Sequence, residues 1–245
     1  MGIKERKERE KERRRQQIMV AAKRVFSDKG FSRSTMEDIA KEAELSAGTI
    51  YLYFKNKDEL CASLTLRILQ YLQMRVEHVY NEKHKSVEEK VNSLKTALYD
   101  VYEFDPLILR NMFHLHSSET FKNLSSELLD EINRLSRKSI HTIGIVFEDS
   151  LKDGAYADRN AMEIAYVVWA VFSGLALWEE SRKTFAYEGN LKDTLELAFD
   201  IIQGGLFNNT KNKSQQKADN NNKNKKNNNI DPDEKSESEP EIVAG

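Results

Sequence analysis

Hydrophobic residues recur along most of this chain at intervals of three and four, and they do not alternate with polar residues over any length. The first two stripes are Ile18, Ala21, Ala22, Val25 and Phe26, followed by Met36, Ile39, Ala40 and Ala43. This spacing places apolar side chains on one face of an α-helix. Only three prolines and ten glycines interrupt 245 residues. The sequence therefore predicts an all-α protein.

Three short helices are predicted at the amino terminus. The first ends at Gly30, a common helix terminator. Ser34 or Thr35 caps the second, with an acidic residue three positions on completing a capping box. Ser46 opens the third, in which Ile50 and Phe54 share an inward face. Two short helices joined by a tight turn indicate a helix-turn-helix, whose second helix enters the major groove of DNA.

The outward residues of the third helix suit contact with DNA. Small and hydroxyl-bearing side chains allow close approach to base edges, and tyrosine hydroxyls and cations suit phosphate oxygens. We expect Ser46, Ala47, Thr49 and Tyr51 to read or border base edges. We expect Thr35, Tyr53 and Lys57 to hold phosphates. Gly48 either permits close approach to DNA or serves the start of the helix.

The run TMEDIAKEAELSAGTIYLYFKNKDEL resembles the signature of the TetR family of one-component transcriptional regulators, and the preceding VFSDKGFSRS strengthens the match. The resemblance covers roughly residues 13 to 65. It implies a three-helix DNA-binding head at 13–57 and a helical body at 58–207 for ligand binding and dimerisation. The family commonly has glycine in the interhelical turn, where this chain has Glu44. If that turn requires a positive φ, glutamate costs about 1 kcal/mol there.

Five further helices are predicted in the body, and a sixth begins at Pro106. The five cover residues 57–80, 86–104, 118–152, 160–184 and 191–207. The first leaves the head and enters the body, so it is the mechanical link between them. An effector that separates the body helices is expected to move this helix and the head. The two heads of a dimer must lie roughly 34–36 Å apart to match successive major grooves.

Residues 161–178 are apolar on nearly all sides, so this helix needs a partner beyond its own chain. A membrane span is the alternative, and the short length and Glu163 favour burial in a helix bundle. The resemblance implies a homodimer in which the last two helices of each subunit form a four-helix bundle. The expected contact residues are Tyr166, Trp169, Phe172, Leu195, Ala198, Phe199 and Ile202.

The resemblance also implies a ligand pocket among the middle body helices. The lining expected from position is Leu109, Met112, Phe113, His116, Ile143, Phe147, Trp169 and Ser173. Such a lining suits an apolar or aromatic effector, for example a fatty acyl derivative or a drug-like compound.

Charge is distributed unevenly. Residues 1–60 hold 15 Lys and Arg against 11 Asp and Glu, a net +4 that leaves −6 for the rest of the chain. Residues 1–12 have no apolar stripe and predict a charged flexible arm or fraying helix; alternatively Arg13, Arg14 and Arg15 reach DNA phosphates or a minor groove. Residues 208–245, Asn- and Lys-rich and then acidic, predict a disordered tail.

Enzyme classes find little support in the sequence. There is no Glu-x-x-His pair, phosphate-binding glycine loop or Gly-x-Ser-x-Gly elbow, and no metal, cofactor or catalytic residue is expected. The single cysteine, Cys61, excludes an internal disulfide and suits the cytoplasm. We expect a cytoplasmic homodimeric repressor of a palindromic operator. The alternatives are an activator of the same family, a helical ligand-binding protein or enzyme without DNA function, and an architectural DNA binder.

Overall fold

The computed structural model describes residues 2–107, 124–151, 160–185 and 188–208. Within these ranges the chain forms α-helices, one terminal π-helical turn and no strand, which confirms the all-α class. The helices are α1 Ile3–Lys29, α2 Met36–Glu42, α3 Ala47–Tyr51, α4 Lys57–Asn81, α5 Val87–Phe104, α6 Ser126–Leu151, α7 Ala161–Phe185 and α8 Leu191–Gln203. The helix expected at Pro106 and the tail at 209–245 lie outside the described residues.

Two helix starts differ from those expected. α1 begins at Ile3, because the charged residues before Arg13 are good helix formers and allow Glu–Lys and Glu–Arg pairs one turn apart. Residues 3–12 are therefore part of a continuous helix and not a separate arm. α6 begins at Ser126, later than the predicted 118, because the Ser125 hydroxyl accepts a hydrogen bond from the Leu128 amide and caps the helix at that point.

One helix end differs as well. α8 gives way after Gln203 to a π-helical turn at Gly204–Asn208, although a regular helix was expected to residue 207. The ends of α4, α5 and α7 agree with the predicted ones to within a residue or two, because capping residues define them. Asn56 and Ser86, for example, accept hydrogen bonds from the amides of Glu59 and Glu89.

The head is built around the apolar stripe of α1. Its residues Ile18 and Phe26 are buried with Ile39 of α2 and with Ile50 and Phe54 at α3. Two polar contacts tie α1 to the rest of the head: the Gln17 amide donates to the Ala43 carbonyl at 2.8 Å, and the Arg15 guanidinium donates to the Tyr53 carbonyl at 3.0 Å. These contacts fix the angle at which α1 crosses the helix-turn-helix.

The long helix α4 joins the head to the body, as expected. Leu64, Ile68, Leu72 and Val76 are all buried. A buried hydrogen bond of 2.9 Å from Ser139 of α6 to Gln73 secures α4 to the body. Two contacts tie α1 directly to the helices of the body: Arg67 of α4 donates to Gln16, and Lys23 pairs with Asp105 at the end of α5 at 3.2 Å.

The apolar helix α7 is only partly covered by its own subunit. The segment Ala161–Glu179 is long and apolar enough to cross a membrane by length and composition alone, yet only 22% of it is buried inside the subunit. Its inward side packs on α6, as the burial of Ala165, Val168 and Phe172 shows. Its outward side continues onto α8. The exposed apolar residues of this surface are Tyr166, Val167, Leu177, Trp178, Leu197 and Ile201.

Three of the residues expected at the dimer contact face the interior of the subunit instead. Phe172, Leu195 and Phe199 are each 1% exposed and belong to the core of the subunit. The sequence pattern of α7 is apolar on all sides, so it does not indicate the direction of Phe172. α8 is amphipathic, and its Leu195 and Phe199 belong to the apolar face that packs inward. Tyr166 is exposed, and Trp169, Ala198 and Ile202 are half-buried at the margin.

Candidate DNA-binding surface

The start of α2 is held by a reciprocal capping box. The Thr35 hydroxyl accepts from the Asp38 amide, and the Asp38 carboxylate accepts from the Thr35 amide, each at 3.1 Å. Lys29 at the end of α1 bonds the same carboxylate at 2.6 Å and lowers the pKa of Asp38 below its ordinary value. Thr35 is exposed at the start of α2, and its side chain also hydrogen-bonds to the Asp38 carboxylate.

The turn between α2 and α3 depends on a strained residue. Glu44 has a φ of 55°, the only positive φ of a non-glycine residue in the described part of the chain. The turn closes through a 2.9 Å hydrogen bond from the Leu45 amide to the Ala40 carbonyl. The departure from glycine noted in the sequence therefore falls where a glycine would be least strained.

The outward side of α3 has the composition expected for reading DNA. Ser46 caps the helix by accepting from the Thr49 amide at 3.1 Å, and the two hydroxyls lie 2.8 Å apart. Tyr51 is 48% exposed, while Ala47 and Tyr53 are half-buried. Ile50 and Phe54 face inward, as predicted from their spacing.

Gly48 lies in the middle of this outward side without a structural need for glycine. A Cβ atom added there would meet only the Ser46 hydroxyl, at 3.9 Å, and the φ of Gly48 is not positive. Glycine inside a helix costs about 0.5–1 kcal/mol relative to alanine. No contact within the described part of the subunit requires glycine at this position.

Sequence reasoning missed Leu52 and Lys55. Leu52 is 81% exposed immediately after α3, where a leucine side chain can contact a thymine methyl group. Lys55 is exposed in the connection to α4. The signal for Leu52 was its position two residues after the buried Ile50, which directs it to the opposite side.

Lys57 makes several contacts within the head. Its ammonium group donates to the carbonyls of Phe31, Ser32 and Ser34 at 2.7, 3.4 and 3.0 Å, and it lies 4.4 Å from the centre of the Phe31 ring. Lys57 therefore links the α1–α2 loop to α4 in the structure, and its contact with a DNA phosphate stays a prediction.

Arg15 is also committed within the head. Besides its bond to the Tyr53 carbonyl, its guanidinium lies 4.4 Å from the centre of the Phe54 ring. Arg14 donates to Gln17, and Arg13 pairs with Glu10 at 3.6 Å on the surface. Of the three arginines considered for DNA contact, Arg15 has a structural role instead.

The residues expected to bind an effector are divided by the structure. Leu109, Met112, Phe113 and His116 lie outside the described residues. Ile143 and Phe147 are fully buried. Trp169 and Ser173 are half-buried on α7, and the Ser173 hydroxyl is enclosed without a hydrogen-bond partner among the described residues. A separate open groove of about 630 Å³ runs between α6 and α7, with Ile140, Met162 and Tyr166 in its lining and Arg137 and His141 beside them.

The described residues offer few groups suited to metal binding or nucleophilic catalysis. They contain no group of three or more His, Cys, Asp or Glu positioned to hold a metal ion. Cys61 is buried in α4, and burial raises the pKa of its thiol to about 12. A thiol in that state is a poor nucleophile, in keeping with a structural residue.

Comparison with known proteins agrees with this surface. Residues 18–64 match the model of the bacterial regulatory proteins of the tetR family. An HTH-type transcriptional regulator of Haemophilus influenzae is 34% identical over 113 residues, an alignment that spans 46% of this chain and 60% of that relative. The Bacillus subtilis fatty acid metabolism regulator protein is 27% identical over 187 residues, 76% of this chain and 91% of the relative.

A solved structure extends the likeness to the body. Bacillus subtilis FadR in complex with stearoyl-CoA superposes with a TM-score of 0.58 at 20% identity, covering 78% of this chain and 98% of that one. At this sequence identity the structural match supports a shared fold. The superposed region includes the body helices as well as the head. The amino-terminal helix-turn-helix, residues 18–64, thus belongs to the TetR family of DNA-binding transcriptional regulators, and the helical body shares the fold of FadR.

Proposed function

We propose that this protein is a cytoplasmic homodimeric repressor that binds a near-palindromic operator and leaves it when a small apolar effector occupies the body. Repression is favoured over activation because a dimer on a promoter blocks polymerase without an additional activating surface. No catalytic role is assigned. The observation that carries the DNA-binding part is the surface around Gly48, where a helix forgoes stability that no contact within the subunit explains.

Gly48→Ala gives opposite effects on stability and binding under this proposal. The added methyl group has space in the free protein, so the head is stabilised by about 0.5–1 kcal/mol. Against a base edge the same methyl group interferes, and operator affinity falls at least tenfold. Thermal unfolding and fluorescence anisotropy with an operator selected from random DNA measure the two effects.

Glu37→Ala is the matched control, because Glu37 is exposed in the first turn of α2 and contributes no outward surface of α3. It leaves specific recognition intact. If Gly48→Ala raised stability and left operator affinity unchanged, α3 would not approach the bases through Gly48, and the assignment of the reading surface would be wrong. Thr49→Ala is expected to alter sequence preference and not merely to reduce affinity.

The proposed dimer rests on the outward side of α7 and α8. Val167, Trp178, Leu197 and Ile201 are each more than 50% exposed and share one surface with Tyr166. Large contiguous apolar patches are uncommon on monomeric proteins and mark association surfaces. A two-fold contact through this surface gives two symmetry-related heads, which require a near-palindromic operator.

The proposed effector is a fatty acyl compound. Support comes from the two Bacillus subtilis proteins above, one named for fatty acid metabolism and one solved with stearoyl-CoA. The apolar residues Ile143 and Phe147 and the unpartnered Ser173 hydroxyl suit an acyl chain with a polar end. Stearoyl-CoA is expected to raise the melting temperature and to weaken operator binding by the reciprocal factor required by linkage, typically ~5–150-fold. Short-chain acetyl-CoA is the control, and equal effects of the two compounds would exclude acyl-chain recognition.

A further inference from the structure

The amino-terminal part of α1 extends beyond the head as a charged helix. Residues 2–13 are all exposed, so nothing in the subunit requires this length. Twelve helical residues span about 18 Å, the rise of about five base pairs along one DNA strand. We define this extension as residues 3–14. Its charged residues are grouped by sign on different sides of the helix.

One face of the extension is entirely basic. Lys4, Lys7, Lys11 and Arg14 follow one another at intervals of three and four and therefore lie on one side of the helix. The same intervals continue into the head: positions 18, 21, 22 and 25 extend this face as Ile18, Ala21, Ala22 and Val25, all buried. We call Lys4, Lys7, Lys11 and Arg14 the basic stripe.

The contacts of α1 show which way the basic stripe points. Ile18 and Val25 are buried and face the core of the head. On one side of them Gln17 contacts Ala43, and on the other side Arg15 contacts Tyr53. Ile18 and Val25 thus face the side on which α2 and α3 lie. The basic stripe is thus directed to the same side as the helix-turn-helix, beyond the edge of the head.

The remaining charges occupy other sides. Glu5 and Glu12 are in the seven-residue register of Met19, which with Glu12 lines a crevice of about 420 Å³ between α1 and α4. Arg6 and Arg13 are in the register of Val20, which is 44% exposed on the side away from the head core. Glu8 and Glu10 are in the seven-residue register of Arg15 and Gln17 and flank the basic stripe on its two sides, where Glu10 pairs with Arg13 at 3.6 Å. Between these two flanks the stripe itself carries only positive charges.

We propose that the basic stripe is a second DNA-binding element, which contacts phosphates of the duplex that flanks the bases read by α3. The inference rests on the DNA-binding function proposed above and adds a contact surface to it. Lysines spaced one helical turn apart suit phosphates because they carry mobile point charges and need no fixed base geometry. Binding through them is independent of flanking sequence and sensitive to salt.

The test compares two variants of the full chain with equal charge. In Lys4→Gln/Lys7→Gln/Lys11→Gln the basic stripe loses its three lysines and keeps Arg14, and in the control Arg6→Gln/Arg9→Gln/Arg13→Gln the same charge is removed from other sides. Glutamine keeps the helix propensity in both, and circular dichroism verifies that they remain helical. Affinity for a selected operator duplex is measured from 50 to 200 mM salt, with ten flanking base pairs of arbitrary sequence and without them.

For the wild type we expect tighter binding to the longer duplex. The stripe variant loses that gain, and its salt slope falls by up to about 5 for the six lysines of a dimer, whereas the control retains most of both. Equal losses in the two variants, or no loss in either, would overturn the proposal while specific operator binding by the wild type remained intact. Absence of specific binding by the wild type would instead refute the proposed function itself.

Discussion

The head and the α7–α8 pair bury their apolar residues in different ways. In the head, the stripes of α1 and α2 are covered within the subunit, and the polar groups of Arg15, Gln17 and Lys57 close its margins. In the α7–α8 pair, one side is covered by α6 and α5 and the other side carries exposed apolar residues. The striped helices of the head thus find their partners in their own chain, whereas the all-round apolar α7 keeps an exposed side, which the proposed dimer would cover.

This difference separates two kinds of stability. The head is complete as a monomer, so changes in it affect its own unfolding at any protein concentration. In the proposed dimer the exposed side of α7 and α8 is stabilised by association, so the effect of changes there should depend on protein concentration. The following four experiments test that distinction.

The largest effect is expected at the exposed surface of α7 and α8. Val167→Glu with Leu197→Glu places four carboxylates in the proposed dimer contact, and unpaired charges there cost several kcal/mol. Sedimentation should show at least a 100-fold increase in the dimer dissociation constant. Met74→Glu on α4 is the control, since Met74 is 55% exposed outside this surface. A stable dimer in the double variant would place the contact elsewhere.

A smaller effect is expected within the head at Lys57. Lys57→Ala leaves three loop carbonyls without their donor and should destabilise the protein by about 1–3 kcal/mol. Lys55→Ala removes an exposed lysine two residues away and should change the free energy of unfolding by less than about 0.5 kcal/mol. Denaturant unfolding distinguishes them. A Lys57→Ala variant of normal stability but with a reduced salt slope of DNA binding would support the phosphate role instead.

A substitution at Glu44 is expected to raise the free energy of unfolding, whereas Lys57→Ala lowers it. Glu44→Gly relieves the left-handed conformation and should stabilise the head by about 1 kcal/mol. Glu44→Ala retains a Cβ atom at the same φ and should give little or no gain. The gain should be the same at low and high protein concentration. A concentration-dependent gain would mean that the head is not complete within one subunit.

The smallest effect concerns the Lys23–Asp105 pair, which joins the two regions. The Asp105 side chain is 7% exposed and that of Lys23 42%. A double-mutant cycle with Lys23→Met and Asp105→Asn should give a coupling energy on the order of 0.5–1 kcal/mol in unfolding. The reciprocal weakening of effector and operator should also decrease, because one tie between head and body is lost. An unchanged response would leave α4 to transmit the signal without this pair.

Local sequence rules predicted the helices well. Capping residues such as Asn56, Ser86 and Asn190 define helix starts through a hydrogen bond three residues away. The inward face of α3 followed from the spacing of Ile50 and Phe54. The strain at Glu44 was anticipated from the resemblance to the TetR family, which commonly has glycine in this turn.

Contacts distant in sequence were not predictable in this way. Lys57 binds carbonyls 23 to 26 positions earlier, and Lys23 pairs with Asp105 more than 80 positions later. Both depend on the crossing angles of helices, which no local pattern encodes. The direction of Phe172 was misjudged for a related reason: helical periodicity identifies a face only when the opposite face is polar, and α7 is apolar on all sides.

The hydroxyl pair at the start of α3 limits how many hydrogen bonds the recognition helix can donate to the DNA bases. Ser46 and Thr49 lie 2.8 Å apart, and Ser46 already accepts from an amide. Whichever hydroxyl donates, one of the two hydrogens is spent between them, and a single hydrogen is left to offer. Two adjacent acceptors on one base, such as O6 and N7 of guanine, therefore cannot both be served by this pair. The pair therefore offers one hydrogen-bond donor at that position, and a second donor must come from another residue or from water.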